Sequence, residues 1–215
     1  MASEIVIPLF PLGVVLLPGM DLPLHIFEER YKKLIGESIE GAREFGVVYY
    51  SGKTMLRVGC TAGITRVLRN YEHGEMDILT EGKRRFLIQE LMDDKLYIEA
   101  KVEFFKDRQE NIDDRMRGLL RRGAESIEQL NLVSGKRTNI KMIENLDPES
   151  LSFLIASTEG FSLEEKQKFL EMTSTGERLE KSINSLQSII ERLRLSSEIK
   201  RIFGTREDSS ENTPL

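Results

Sequence analysis

The chain has 215 residues, with 31 Lys and Arg against 36 Asp and Glu, one Cys and two His. This length suits one large domain or two small ones, and the lone cysteine excludes a disulfide framework or a cysteine-based zinc cluster. The formal net charge of −5 argues against non-specific nucleic-acid binding, which needs many basic residues on one face.

The N-terminal stretch is apolar but is interrupted by Pro8, Pro11 and Pro18. Its first charged residue is Glu4, whereas a secretory signal places basic residues before an unbroken apolar segment. The apolar run Val14–Leu17 is far shorter than the roughly 20 residues that a transmembrane helix needs. We therefore expect a cytoplasmic protein without a membrane span.

Short strands are predicted from residue 4 to about residue 106, and one of them is the β-branched segment Thr61–Leu68, which follows Gly59. In Tyr97–Phe104 polar and apolar side chains alternate, as in a half-buried strand. Two more alternating segments, Glu75–Thr80 and Arg85–Glu90, flank Glu81–Lys83, where we predict a turn. One helix, from Glu28 to about Arg43, interrupts the strands. About seven short strands with turn signals favour a small barrel or packed sheets.

Helical spacing of apolar residues begins after residue 106. Asp147 followed by Pro148 predicts a helix N-terminus, and Ser162–Glu165 has the spacing of a capping box. Coiled-coil-like spacing in the last helix involves Leu179, Ile183, Leu186, Ile190 and Leu193. This seam leaves two states open, a monomer with internal packing or a weak homodimer through residues 178–203. Residues 204–215 are polar and acidic and predict a disordered tail.

Candidate catalytic residues do not form a known constellation. Gly52–Thr54 resembles the end of a P-loop, but Val47 occupies the position five residues earlier where that motif needs glycine. Cys60 lies in an apolar strand, where a free cysteine usually packs as a small hydrophobe. We interpret His25, just before the predicted helix, as a hydrogen-bonded structural residue. The sequence therefore predicts no catalytic residue, no metal site and no cofactor.

Two basic groups bear on nucleic-acid binding. One is Lys83–Arg85, and the other comprises Arg115, Arg117, Arg121 and Arg122. Few aromatic residues stand beside these basic residues in the sequence, since only Phe86 follows the first group. A solvated face or an acidic protein partner is therefore favoured over RNA.

The segment from Pro8 to Tyr31, PLFPLGVVLLPGMDLPLHIFEERY, resembles the opening of the N-terminal, substrate-binding domain of Lon proteases. That family has PLFPL, PG, PL and IFE.RY in the same order. Weaker colinear similarities extend the resemblance to about residues 4–203. They lie at Val58–Ile64, Glu81–Phe86, Glu99–Glu103, Glu165–Glu171 and Arg178–Leu179.

The resemblance implies an α+β fold. Residues 1–107 would form a PUA-like pseudo-barrel of short, mostly antiparallel strands with one helix. Residues 108–203 would form an all-α subdomain that ends in a long helix. Full-length Lon proteases continue into an ATPase domain and a Ser-Lys peptidase domain, and this chain ends where the ATPase would begin. We therefore expect a standalone, non-enzymatic protein.

The function that the resemblance implies is protein recognition. The module would bind exposed segments of unfolded or damaged client proteins, or associate with a Lon-type protease. Candidate contact residues are loop-proximal apolar side chains that we expect to be exposed, namely Leu17, Met20, Met55 and Leu56. Adaptable Met side chains suit loosely specific binding. Two alternatives stay open: an RNA-binding PUA-like module, and an enzyme that uses His25 with a carboxylate.

Overall fold

The computed structural model of the chain describes residues 5–136 and 140–204. Apart from its first residue, the tail predicted at 204–215 lies outside the described residues. The chain divides into two compact units. The first unit contains the residues up to Glu110 together with Ala156–Thr175, and the second contains Asn111–Ile155 and the residues from Gly176 onward. The division predicted at residue 107 stays a prediction.

Strands occur in the first unit. They are β1 (Ile5–Leu12), β2 (Asp21–Ile26), β3 (Phe45–Tyr49), β4 (Val58–Asn70), β5 (Met76–Met92) and β6 (Glu99–Phe104). Their order is β2-β5-β4-β3-β1-β6, and β5 also pairs with β6, so five of the strands close into a ring beside β2. Every pair is antiparallel except β1 with β3. The predicted pseudo-barrel of mostly antiparallel strands is confirmed.

Strand β5 runs without a break for 17 residues, so the turn predicted at Glu81–Lys83 is wrong. Gly82 pairs with Ala62 in β4, and its N–H donates to the carbonyl oxygen of Met20 at 2.9 Å. A Cβ atom on Gly82 would lie 2.1 Å from the carbonyl oxygen of Leu17. The glycine therefore permits a close approach between two chain segments, which glycine serves as readily as a turn.

The barrel interior is filled by apolar side chains from four of the strands. The buried cluster comprises Ile7, Leu9, Val48, Phe86, Ile88, Ala100 and Val102. Helix α1 (Glu29–Glu40) buries Leu34 and Ile35 completely, and the ring of its Tyr31 stacks on Phe10 with 3.9 Å between centroids. Burial of each such side chain contributes about 1.5–3 kcal/mol.

Helix α5 (Leu163–Glu171) belongs to the first unit and begins at the predicted capping box. The Ser162 hydroxyl accepts from the N–H of Glu165, and the Glu165 carboxylate accepts from the N–H of Ser162. From the buried side of the helix, Gln167 Nε2 donates to the carbonyl oxygen of Val58 in β4 at 3.1 Å. This bond joins the helix to the barrel.

The remaining helices are α2 (Asp114–Val133), α3 (Ile140–Glu144), α4 (Pro148–Ser157) and α6 (Thr175–Gly204). Asp147 caps α4 as predicted, since its carboxylate accepts from the N–H of Ser150 at 3.0 Å. Within the second unit, Arg178 is buried and donates to the Ser152 hydroxyl oxygen at 2.8 Å. Its guanidinium lies 3.8 Å from the centroid of the Phe153 ring. The expected long last helix is confirmed.

Candidate functional surface

The four predicted contact residues differ in exposure. Leu17 is fully buried, so the expectation that it is exposed is wrong. The reason is the close approach at Gly82, which brings the Leu17 backbone against β5. Met20, Met55 and Leu56 are half-buried, and Met55 packs against the apolar cluster of the barrel. Contact of these residues with a partner stays a prediction.

His25 lies at the surface in a hydrogen-bonded cluster. Its Nδ1 lies 2.7 Å from one carboxylate oxygen of Asp77, and the Tyr71 hydroxyl donates to the other oxygen at 2.7 Å. The hydrogen bond from His25 is the larger cause that lowers the pKa of Asp77, followed by that from Tyr71. A carboxylate held ionised in this way is poorly suited to proton transfer near neutral pH. The interpretation of His25 as a hydrogen-bonded residue is confirmed.

Cys60 is fully buried in β4. Burial raises the pKa of its thiol to about 12. Because the thiolate is the nucleophilic form of cysteine, this environment makes Cys60 inert near neutral pH. The predicted packing role of Cys60 agrees with this burial.

An open groove lies between the end of α1 and strand β4. Residues 38, 39 and 42–44 form one wall, and residues 63–67 form the other. We call this cavity the β4 groove. Its volume of ≈ 380 Å³ falls in the range of about 300–1,000 Å³ that is common for ligand pockets. The predicted strand Thr61–Leu68 contains the second wall, but sequence reasoning did not single out the groove.

One edge of β4 is open along this groove. Strand β3 pairs with β4 only at Cys60–Ala62, because β3 begins at Phe45. Within the part of the chain that the structure describes, Gly63–Asn70 pairs with β5 alone. Five consecutive residues of β4 border the cavity. Successive side chains of a strand point to opposite faces of the sheet, so a cavity on one face would contact only every second residue. Because this cavity contacts five residues in a row, it lies beside the backbone edge of β4.

The β4 groove combines apolar and positively charged side chains. Ile39 is 42% exposed and Val67 is 39% exposed. The Glu44 carboxylate is neutralised by the Arg84 guanidinium, whose Nε lies 2.9 Å away. Arg43 and Arg66 are both exposed, and neither forms an ion pair with any residue described. The groove therefore offers apolar contacts and two exposed guanidiniums.

No helix in residues 5–136 and 140–204 has the length and apolar character needed to span a membrane.

A family model described as the ATP-dependent protease La (LON) substrate-binding domain matches residues 6–188. The Lon protease of Cytophaga hutchinsonii is 29% identical over 208 residues, which cover 90% of this chain and 25% of that protein. The Lon protease of Escherichia coli K12 is 27% identical over 212 residues, which cover 93% of this chain and 27% of that protein. The chain thus spans about a quarter of the length of these curated relatives.

Two solved structures have a similar fold. The Lon N-terminal domain protein from Xanthomonas campestris matches with a TM-score of 0.66 and 23% identity, covering 82% of this chain and 96% of that one. The N-terminal domain of Mycobacterium avium complex Lon protease matches with a TM-score of 0.70 and 17% identity, covering 85% of this chain and 98% of that one. At these identities the likeness concerns the fold.

Proposed function

Because this chain belongs to the family of Lon substrate-binding domains, we propose that it is a non-enzymatic module that binds exposed segments of client proteins. The β4 groove carries the proposal, since it combines an open strand edge with exposed apolar side chains. Unfolded or damaged proteins expose apolar side chains and unpaired backbone groups, which are the two features that such a surface binds.

The relatives are named as proteases, and this chain aligns with only about a quarter of their length. The matched family model describes the substrate-binding domain, which supports a role in selecting substrates. A Lon-type protease is therefore a second class of partner, and the cytoplasm is the compartment we propose.

A weak homodimer through residues 178–203 is a further proposal. Four of the five seam residues are buried, whereas Leu193 is 38% exposed, and this favours the monomer.

Local ion pairs support a protein partner over RNA. In the first basic group, Lys83 and Arg84 form surface ion pairs at 2.8 Å and 2.9 Å, and Arg85 is buried. In the second group, Arg115 and Arg117 form ion pairs at 2.6 Å and 2.7 Å. Basic side chains that are already neutralised contribute little to the release of counterions on which RNA affinity depends.

Binding of an unfolded model protein tests this function. Fluorescein-labelled, reduced and carboxymethylated α-lactalbumin is titrated with the chain, and native α-lactalbumin with its disulfides intact is the matched control. We expect fluorescence anisotropy to rise for the unfolded form only. Equal affinity for the two forms contradicts the proposal, and so does the absence of binding to either form. A single-stranded RNA oligonucleotide is titrated in parallel, and affinity for it that falls steeply with salt would favour the RNA-binding alternative.

Absence of catalysis is a separate expectation. The purified chain is incubated with ATP and with a fluorogenic peptide, and release of phosphate and of the fluorophore is followed. We expect both rates to equal those of buffer alone. Turnover above that background, if lost in the His25→Ala variant, would support the enzyme alternative and overturn the non-enzymatic proposal.

A further inference from the structure

We propose that the β4 groove binds a short extended peptide as an additional strand on the open edge of β4, and that the side chains of this peptide are apolar and acidic. The inference rests on the proposed recognition of client proteins. It adds two statements to that proposal: the peptide binds through its backbone, and the bound segment carries acidic side chains.

The geometry of the sheet defines the position of the added strand. Strand β3 lies beside β4 only as far as the Phe45–Ala62 pair. Beyond that pair, residues 42–44 lead away to α1 and form the opposite wall of the groove. A strand edge presents a row of backbone N–H and C=O groups that another extended chain satisfies at a spacing of about 4.8 Å. An extended segment in line with β3 therefore pairs with Gly63–Val67.

The length of the groove limits the length of the peptide. Five residues of β4 border the cavity. At about 3.3 Å per residue, five extended residues span roughly 16 Å. Main-chain hydrogen bonds over this length provide affinity with little dependence on sequence, as in other complexes formed by strand addition. This mode suits a module that accepts many unfolded clients.

The charge of the β4 groove determines which peptide segments bind best. Arg43 lies on one wall and Arg66 on the other, and both lack an ion-pair partner among the residues described. Glu44, the lining carboxylate, is already paired with Arg84 at 2.9 Å and accepts from the Thr61 hydroxyl at 2.6 Å. Acidic side chains on the peptide gain charge-assisted hydrogen bonds to the two guanidiniums. Apolar side chains pack on Ile39.

The same edge disfavours a second copy of the chain. The pairing of β4 with β5 shifts register between Ile64 and Arg66 and again between Val67 and Arg69. Such bulges increase the local twist, and charged edge residues oppose long pairing between identical strands. Two copies paired edge to edge would bring arginines close together, which is destabilising. A short acidic peptide meets neither obstacle.

Selective N-methylation of a peptide tests strand addition. The probe is a fluorescein-labelled hexapeptide of alternating Glu and Val, and two derivatives carry N-methyl groups on all Val or on all Glu residues. Alternate residues of a strand direct their N–H groups to opposite edges, so one derivative loses the bonds to β4 and the other keeps them. We expect one derivative to bind at least tenfold more weakly than the parent and the other within twofold. Equal affinities for the two derivatives would overturn strand addition.

Charge reversal tests the acidic preference. In the Arg43→Glu/Arg66→Glu double variant, we expect at least a tenfold loss of affinity for the Glu-Val peptide and a gain for a Lys-Val peptide. The Lys181→Glu/Arg192→Glu double variant, at two exposed positions of α6 outside the groove, makes the same change in net charge and should leave both affinities unchanged. Melting curves by circular dichroism establish that each variant folds. Equal affinity of the wild-type chain for both peptides would overturn the acidic preference.

Unfolded α-lactalbumin separates this inference from the proposed function. If the wild-type chain binds it and neither N-methylation nor charge reversal changes peptide binding, strand addition at the β4 groove is wrong and client recognition stands. If the wild-type chain binds neither the unfolded protein nor any peptide, both proposals fail. A solution dimer that is lost in the double variant would assign the groove to a second copy and overturn the peptide proposal.

Discussion

Arg85 and Asp107 form an ion pair in the interior of the first unit, where their side chains are 2% and 6% exposed. Arg85 also donates to the carbonyl oxygen of Leu170 at 3.1 Å and to that of Met172. The Thr175 hydroxyl donates to the second carboxylate oxygen of Asp107. These bonds tie β5 and the chain after β6 to the segment around helix α5.

Removal of the Asp107 charge is predicted to destabilise the first unit strongly. In Asp107→Asn the Arg85 guanidinium stays buried without its compensating carboxylate. Breaking a buried pair from one side costs about 3–5 kcal/mol, because the remaining charge cannot regain its hydration. Urea unfolding followed by circular dichroism measures this loss.

The matched control is Glu81→Gln, which removes one partner of the surface pair between Glu81 and Lys83. Both of these side chains are more than a third exposed, at 36% and 38%. A pair of this kind contributes about 0–1 kcal/mol. If Asp107→Asn costs no more free energy of unfolding than the control, the buried pair does not hold the unit together.

Local elements of this chain could be predicted because their signals span only a few residues. The capping box at Ser162–Glu165 is one example, and the Asp147 cap is another. The buried arginines could not be predicted, since basic side chains are usually exposed and their partners are distant in sequence. Arg85 pairs with a residue 22 positions away, and Arg178 bonds one 26 positions away.

The β4 groove was missed for a related reason. The β-branched segment Thr61–Leu68 predicts a strand, but the open edge depends on where β3 stops pairing with it. That register is determined by long-range packing and by the hydrophobic pattern of both strands. In the same way, Gly82 carries no local sign that it faces Leu17 instead of forming a turn.

Cys60 is predicted to resist thiol reagents in the native protein. Its side chain is fully buried and its pKa is raised to about 12, so the thiolate is scarce at mildly alkaline pH. We expect no reaction with Ellman's reagent in buffer and one reactive thiol per chain in guanidinium chloride.

A Lys53→Cys variant supplies the positive control, because Lys53 lies exposed in the turn after β3. One thiol of this variant should react rapidly in the native state. Rapid reaction of the wild-type chain at the rate of this exposed thiol would contradict the burial of Cys60.

Ala42, at the rim of the β4 groove, is predicted to be strained. Its φ of 47° lies in the left-handed region, which glycine adopts more readily than residues with a Cβ atom. The left-handed conformation costs an L-residue about 1–2 kcal/mol, and the greater freedom of glycine in the unfolded chain offsets part of this. We expect Ala42→Gly to raise the free energy of unfolding by up to about 1 kcal/mol.

The opposite change provides the control for Ala42. In Ala42→Val the β-branched side chain should increase the strain and lower the melting temperature. Calorimetry compares both variants with the wild-type chain. An Ala42→Gly variant that melts below the wild type, with Ala42→Val unchanged, would show that the backbone at this position is not strained.

Asp77 is predicted to titrate below the ordinary Asp value of about 3.9. Hydrogen bonds from His25 and then Tyr71 lower its pKa, with a smaller contribution from the charge of Arg69. A carboxyl whose folded-state pKa is depressed stabilises the fold at pH values above its unfolded pKa, and this contribution is lost as pH falls through the folded pKa. The difference in stability between wild type and Asp77→Asn should therefore shrink below about pH 4.

The relative size of the two hydrogen-bond effects on the pKa of Asp77 gives the sharper test. NMR titration of the Asp77 carboxyl carbon measures its pKa directly. We expect His25→Ala to raise that pKa more than Tyr71→Phe does, because the His25 hydrogen bond is the larger cause. Both changes leave the Asp77 side chain partly exposed at the surface, where it is 32% exposed in the wild type, so the fold should be retained. A larger rise in Tyr71→Phe, or no rise in either variant, would contradict the assigned roles of the two hydrogen bonds.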